Sequence, residues 1–467
     1  MEHPLAALPS VHEILRDPAF RAACGDLADP FRTRLVRRAV DSHRQALLED
    51  PEERHEPGPL FSSILDQCIR EAEALQTPSP RRVVNGTGVL IHTNLGRAPL
   101  GALVEALNES DLGGYTDLEW DPESQERGNR DLRLQRQLQL LTGAEAALVV
   151  NNCAAALMLA LNTLASNKQV LVSRSELVEI GGSFRVPAIM EASGCRLREV
   201  GTTNKTNLRD FEEHVVPGSS VLLKVHQSNF VQRGFVERVS IDEMVALGRR
   251  LGVPVIEDNG SGLIANQYAA LLQDEPRVLD SLDRGVDIVC CSADKLFGSI
   301  QAGILLGTAE HIEAMRRNPL YRVLRLDKVR LALLDRTLKL YLAGDAGSLP
   351  LWRLFHASLD ELEARIAQLR LPKSGTRWLS VRSTPLQGRL GGGSNPEAVF
   401  ESLGLELRHR ELSAEALKRR FATRPVPIVG YVQQGCFYLD LRTCFPEDLP
   451  ELQRALDELG GTGDALE

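Results

Sequence analysis

Two short segments carry residue types suited to carbonyl and proton chemistry. In Val253-Pro-Val-Ile-Glu-Asp258-Asn-Gly-Ser261-Gly, an apolar run delivers a carboxylate into a Gly-rich turn. In Cys290-Cys-Ser292-Ala-Asp294-Lys295-Leu-Phe-Gly, a second apolar run ends in a polar cluster with a single lysine. A lysine amine shielded by apolar flanks can bond to an aldehyde and act as a base. A carboxylate can keep a pyridine nitrogen protonated and make its ring an electron sink. Singly, Asp258 is as easily a turn residue and Lys295 a surface lysine. As an ordered pair they point to a pyridoxal phosphate (PLP) site.

A third segment supports the pair. Leu148-Val-Val-Asn151-Asn152-Cys153-Ala154-Ala-Ala reads as strand, polar turn and small-residue helix. Backbone N–H groups at such a helix start can hold a phosphate. Ser292, three residues before Lys295, could add a hydrogen bond to it. Ser261 could reach the ring hydroxyl, as could His226 or Asn229, although a lone His at a strand end is more often structural.

A second constellation is cationic. Asn85-Gly-Thr-Gly-Val-Leu-Ile-His-Thr-Asn-Leu-Gly-Arg97-Ala-Pro is glycine-rich and holds one arginine. Downstream, Arg322 and Arg325 are expected one helical turn apart, on one face. Arginine forks suit tetrahedral oxyanions. On spacing alone, an arginine pair bridging to surface acids remains the commoner outcome.

These segments need a scaffold. Apolar runs at Ala147–Val150, Gln169–Val172, Val221–Val225, Val253–Glu257, Asp287–Cys290 and Ile304–Leu306 alternate with helical stretches. That alternation predicts an α/β domain with a mostly parallel sheet, over residues 77–329. Ligands in such sheets lie beyond the carboxyl ends of the strands. Residues 330–467 predict a smaller α+β domain. It should open on an amphipathic helix through Leu331, Leu334, Leu338 and Tyr341. A glycine run at 391–393 follows, then a hairpin of Val426–Val432 with Cys436–Leu441, and a closing helix at Leu449–Leu459.

Residues 1–76 predict a separate helical module, interrupted at Pro51–Pro59 and closed by Thr77-Pro-Ser-Pro80. Arg32, Arg34, Arg37 and Arg38 cluster on one of its helices, with Arg34, Arg37 and Arg38 sharing a face. A solvated, salt-bridged face is the usual meaning of such a cluster, and a phosphate-contacting helix the functional one.

Composition sets the limits. The chain has 467 residues and a formal charge of −9, so it is no general polyanion binder. Hydrophobic residues make up 43% and charged residues 25%, which excludes a disordered or fibrous chain. Eight scattered cysteines without a CxxC pair read as buried thiols in a reducing compartment, and no spacing supports a metal site. No signal peptide or membrane span is expected, which makes a soluble, cytoplasmic protein the expectation.

Longer motifs make the chain resemble the bacterial selenocysteine synthase family, the L-seryl-tRNA(Sec) selenium transferases. They are NGTGVLIHTNLGRAPL from Asn85, ELVEIGGSFRVP from Glu176, EVGTTNKT from Glu199, EDNGSG from Glu257, DK at Asp294-Lys295, QAGI from Gln301 and RVLRLDK from Arg322. The resemblance spans essentially the whole chain. It implies a PLP-dependent, aspartate aminotransferase-like enzyme of fold type I, with Lys295 holding PLP and Asp258 on its pyridine nitrogen. It further implies that Arg97, Arg322 and Arg325 bind a selenophosphate-like anion, with Asp294 a catalytic acid beside the lysine. The N-terminal module would bind tRNA(Sec), and the enzyme would be a homo-oligomer, a decamer built of dimers. The chain departs from the family pattern at Cys153, Ser175, Asn259, Ala293 and Ser299-Ile300. Two other readings are a PLP lyase or β-replacement enzyme for a small free amino acid, and an inactive tRNA-binding scaffold.

Overall fold

The computed structural model describes residues 4–49, 57–105, 107, 112–180, 184–264, 272, 275–371, 378–395 and 397–461. Most of the interruption expected at Pro51–Pro59 lies outside the described residues, as do Gly181, Gly182 and Ser183 of one motif. The chain divides into two compact units, Met1–Arg82 and Val83–Glu467.

The first unit is helical. Helices α1 (Val11–Arg16), α2 (Pro18–Cys24), α3 (Asp29–Glu49) and α4 (Pro57–Gln76) enclose a small core. Ser10 and Glu13 form a capping box that starts α1, and Asp17 caps α2 ahead of Pro18. Leu35, Val36, Ala39, Val40 and Leu47 of α3 share that core with Ile64, Cys68 and Ala72 of α4. Their spacing of three and four is the helical stripe legible in the sequence.

The second unit holds two sheets. We number its strands β1 (Val89–Ile91), β2 (Ala146–Val150), β3 (Gln169–Ser173), β4 (Arg196–Val200), β5 (Ser220–Val225), β6 (Val255–Asp258), β7 (Ile288–Ser292), β8 (Gly303–Gly307), β9 (Leu379–Gly391), β10 (Val399–His409), β11 (Tyr431–Gln433) and β12 (Cys436–Asp440). The larger sheet has the order β2-β8-β7-β6-β5-β3-β4. Only β8 runs antiparallel to its neighbours. Alternate residues feed two cores: Ala147 and Val149 face one, Leu148 and Val150 the other. Burial on both faces is why these strands read as unbroken apolar runs. The edge strand β4 carries Arg196, Arg198 and Glu199 and was hidden by those charges.

The smaller sheet has the order β11-β12-β10-β9-β1. Its last strand, β1, comes from far earlier in the chain and pairs in parallel with β9 through Ile91 and Gly391. The expected hairpin forms between β11 and β12, turning at Gln434 and Gly435, both with positive φ. Its first arm is shorter than expected, because Ile428 and Val429 pair instead with Val84 and Asn85. The long β9–β10 hairpin was not anticipated, since polar residues and Pro385 interrupt the apolar pattern of β9.

Around the larger sheet lie α5 (Leu132–Thr142), α6 (Cys153–Ala165), α7 (Ile241–Leu251), α8 (Pro319–Leu324), α9 (Lys328–Leu342) and α10 (Pro350–His356). Trp352 of α10 is fully buried in the core shared with α9 and packs edge-to-face on Phe355 at 5.7 Å. Trp352→Ala should cost about 3–5 kcal/mol. A lowered urea midpoint at unchanged m would show it, and a loss under ~1 kcal/mol would contradict this packing.

Candidate active site

Three strand ends converge. Asp258 closes β6, Ser292 closes β7, and Asn151 follows β2. The antiparallel β8 begins at the same end, where Gly303 pairs with both Val150 and Ser292. A Cβ on Gly303 would stand 2.1 Å from Asn152 O, so only glycine lets β8 approach the turn before α6.

Lys295 is 6% exposed, and among the described residues its amine makes no hydrogen bond or ion pair. Asp258 is equally buried. The one side-chain donor to its carboxylate among the described residues is the Cys153 thiol, whose Sγ lies 3.4 Å from Oδ1. Burial raises Asp258 above the usual carboxylate range; the Cys153 hydrogen bond and the charges of Lys295 and His226 oppose this. Oδ1 of Asp258 and Nζ of Lys295 lie 3.9 and 4.0 Å from the place a Gly260 Cβ would take. Above Lys295 sits Gly393, at φ +85°, where a Cβ would come within 2.4 Å of Nζ. The glycine run noticed in the sequence thus puts bare backbone against the lysine.

Helix α6 starts at this site. Asn152 is its N-cap and accepts from Ala155 N at 2.8 Å, while Ala156 N donates to Asn152 O at 3.0 Å. The first-turn N–H groups of Cys153 and Ala154 are the pair left for an anion. Asn151 does not contribute its N–H to that pair, because it donates to Leu324 O at 2.9 Å. With its amide set to satisfy its neighbours, the Asn151 side chain also donates to Leu324 O and Arg325 O, at 2.9 and 3.3 Å. Its job here is to tie the turn to the end of α8.

Next to Lys295, Asp294 is a hub. Arg97 Nη1 lies 2.7 Å from Oδ2, Ser292 donates to Oδ1 at 2.7 Å, and Ala98 N donates to Asp294 O at 3.0 Å. Arg97 has φ +62°, a left-handed backbone uncommon outside glycine. The hydroxyl proton of Ser292 is therefore committed to Asp294. Ser261, fully buried, donates to Asn259 Oδ1 at 3.2 Å. The backbone N–H of His226 donates to Asp258 O at 3.0 Å. Its ring Nε2 lies 3.2 Å from Glu275 Oε1, outside hydrogen-bond geometry. Asn229 is turned away, donating to Glu179 O at 2.6 Å.

The arginine pair differs from expectation. Helix α8 stops at Leu324, and Arg325 is extended at φ −67°, ψ 149°, so Arg322 and Arg325 do not share a helical face. Arg322 is exposed, with no ion pair among the described residues. Arg325 Nη1 lies 3.2 Å from Glu119, which also accepts from Arg130 Nε at 2.9 Å and Arg127 Nη2 at 2.8 Å. These arginines, Arg130 foremost, hold the Glu119 carboxyl below its usual range. Sequence reasoning missed Glu119, since an isolated acid between elements has no spacing to mark it. In the first unit, Arg34, Arg37 and Arg38 are exposed, Arg38 pairing with Glu71 at 2.6 Å. Arg32 folds back onto Gly25 O at 3.0 Å.

The departures from the family pattern are accommodated. Ala293 and Ser299 avoid positive φ, and the Ser299 hydroxyl pairs with Thr337 at 2.7 Å. Asn259 also accepts from Gly262 N at 3.1 Å. Ser175 bonds to the Ser173 hydroxyl at 2.8 Å.

The groups the protein leaves unmatched fit PLP. Lys295 offers an amine for the aldehyde, Asp258 a buried carboxylate for the ring nitrogen, and α6 two N–H groups for the phosphate. Fold and site are those of a PLP-dependent enzyme of fold type I. Among solved structures, D-glucosaminate-6-phosphate ammonia-lyase superposes with a TM-score of 0.58 at 17% identity, covering 83% of this chain and 98% of its own, a likeness of fold alone.

The chain belongs to the L-seryl-tRNA selenium transferase family, whose model (SelA: L-seryl-tRNA selenium transferase) matches residues 83–445. It is 41% identical over 457 residues to the L-seryl-tRNA(Sec) selenium transferase of Geobacter sulfurreducens, covering 97% of this chain and 98% of that one. To the Aquifex aeolicus enzyme of that name it is 39% identical over 430 residues, covering 92% and 94%.

Two outcomes follow. Gly393→Ala should weaken PLP retention at least about ten-fold with the fold intact, because both the backbone and the lysine must shift; dialysis against PLP-free buffer measures it. Asp258→Asn removes a buried charge whose pKa is raised in the folded state. The PLP-free variant should therefore be more stable than wild type at neutral pH. That advantage should fade as pH falls through the raised pKa and vanish below about 4, where both side chains are neutral. Urea unfolding at several pH values tests the sign.

Proposed function

We propose that this protein converts L-seryl-tRNA(Sec) to L-selenocysteinyl-tRNA(Sec), with selenophosphate as selenium donor. The observation that carries the reading is a buried, unpaired Lys295 opposite a buried Asp258, in a chain related end to end to enzymes of that name. When bound, PLP supplies an electron sink for the seryl Cα. Lys295 Nζ would hold the cofactor in the resting enzyme and, as a free amine, would carry the proton to and from the seryl Cα. Asp258 keeps the ring nitrogen protonated, and the N–H groups of Cys153 and Ala154 hold the phosphate. The seryl hydroxyl would leave Cβ as water, the selenium of selenophosphate would add at Cβ as the proton returns to Cα, and water would cleave the P–Se bond to release phosphate. Arg97, Arg322 and Arg325 hold the selenophosphate oxyanion near Cβ, a contribution of proximity. Asp294 sets the direction of Arg97. Arg325 reaches the anion only by sharing its charge with Glu119.

In this reading residues 1–76 form the tRNA-binding module, 77–329 the PLP-binding domain and 330–467 the small domain. Arg34, Arg37 and Arg38 supply phosphate contacts, while Arg32 serves the module's own fold. The active form is a homo-oligomer built of dimers and works in the cytoplasm; no described helix is long and apolar enough to cross a membrane.

Lys295→Ala should lower turnover of seryl-tRNA(Sec) about 10²–10⁴-fold. Arg34→Glu with Arg37→Glu, in the full chain, should weaken tRNA binding and reduce its salt slope by roughly one per lost contact. Unchanged turnover in the first case, or an unchanged salt slope in the second, would contradict the assigned roles.

A further inference from the structure

Cys153 stands at the first position of α6, between the phosphate-holding N–H groups and the carboxylate assigned to the ring nitrogen. Its thiol is the donor that reaches Asp258 Oδ1, at 3.4 Å. Its backbone cannot drift, since Gly303 packs against it: a Cβ there would stand 3.0 Å from Cys153 N. Burial, and then the Asp258 charge, push the thiol well above its usual pKa, so sulfur carries its proton and donates. A thiol is a weak donor, and it withdraws less of a carboxylate's electron density than an amide or hydroxyl would.

We propose that Cys153 is a positioning residue for the ring-nitrogen site: its thiol pins one oxygen of Asp258 with a weak hydrogen bond and leaves the other oxygen, with most of its affinity for a proton, to the cofactor. This rests on Asp258 serving the ring nitrogen. The helix that holds the phosphate and the strand that holds the ring are thereby locked together through one side chain. A stronger donor at position 153 would compete with the ring nitrogen for Asp258. No donor would leave the carboxylate more basic and less fixed.

The test uses full-length protein stripped of PLP and then titrated with PLP alone. Cys153→Ala should weaken PLP binding by about ten-fold, as expected for a lost hydrogen bond to a charged group. The second readout is the ring-nitrogen shift of ¹⁵N-labelled PLP, followed with pH. Its midpoint should move up in Cys153→Ala and down in Cys153→Asn, with the wild type between them. A purely structural role would shift affinity in both variants and leave the midpoints together. Coincident midpoints, or two shifts of the same sign, overturn the proposal. Asp258→Asn serves as control: if it leaves the wild-type midpoint unchanged, the assignment of Asp258 to the ring nitrogen fails, whatever Cys153 does.

Discussion

Taking an amine and a carboxylate out of water without pairing them is costly, and the contacts around the site hold that arrangement in place. An unmatched buried polar group costs free energy that a matched one does not. The Asp258 carboxylate accepts one thiol, and the Lys295 amine donates to nothing among the described residues. A protein keeps such groups unmatched when a ligand completes them. PLP, with an aldehyde, a ring nitrogen and a phosphate, has one group for each of the three partners offered.

The neighbouring contacts keep that site open. Gly393 brings the end of the small-sheet hairpin against Lys295 without a side chain that would displace it. Gly303 lets β8 lie close to the α6 turn. Asn151 ties that turn to the segment bearing Arg322 and Arg325, and Asp294 draws Arg97 and Ala98 to the residue beside the lysine. One region thus joins the cofactor groups to cationic residues. It places charges of both signs beside Lys295: Asp294, its neighbour in the chain, and Arg97, paired with that carboxylate.

Much of this was legible in the sequence, for physical reasons. Strands buried on both faces leave continuous apolar runs, and the residues closing them, Asp258 and Ser292, stand at the carboxyl ends, the end at which parallel sheets bind ligands. The α6 turn announced itself through Asn152, a residue that caps helices. What escaped was long-range or solvated. Strand β4 is charged because one face meets water, and β1 joins a sheet whose other strands lie hundreds of residues later. Glu119 finds Arg325 only in three dimensions. Spacing put Arg322 and Arg325 on one helical face, whereas the helix ends between them. The Cys153–Asp258 bond spans 105 residues, and no local pattern foretells it.

The central claim is a Lys295–Asp258 PLP site that works on an aminoacyl-tRNA. Its most direct test is the visible absorbance of the PLP-loaded enzyme, recorded before and after adding seryl-tRNA(Sec) and, separately, free serine. The account predicts a spectral change with the charged tRNA and none with serine. A band that responds to free serine and ignores the charged tRNA would contradict it and leave an enzyme of small amino acids.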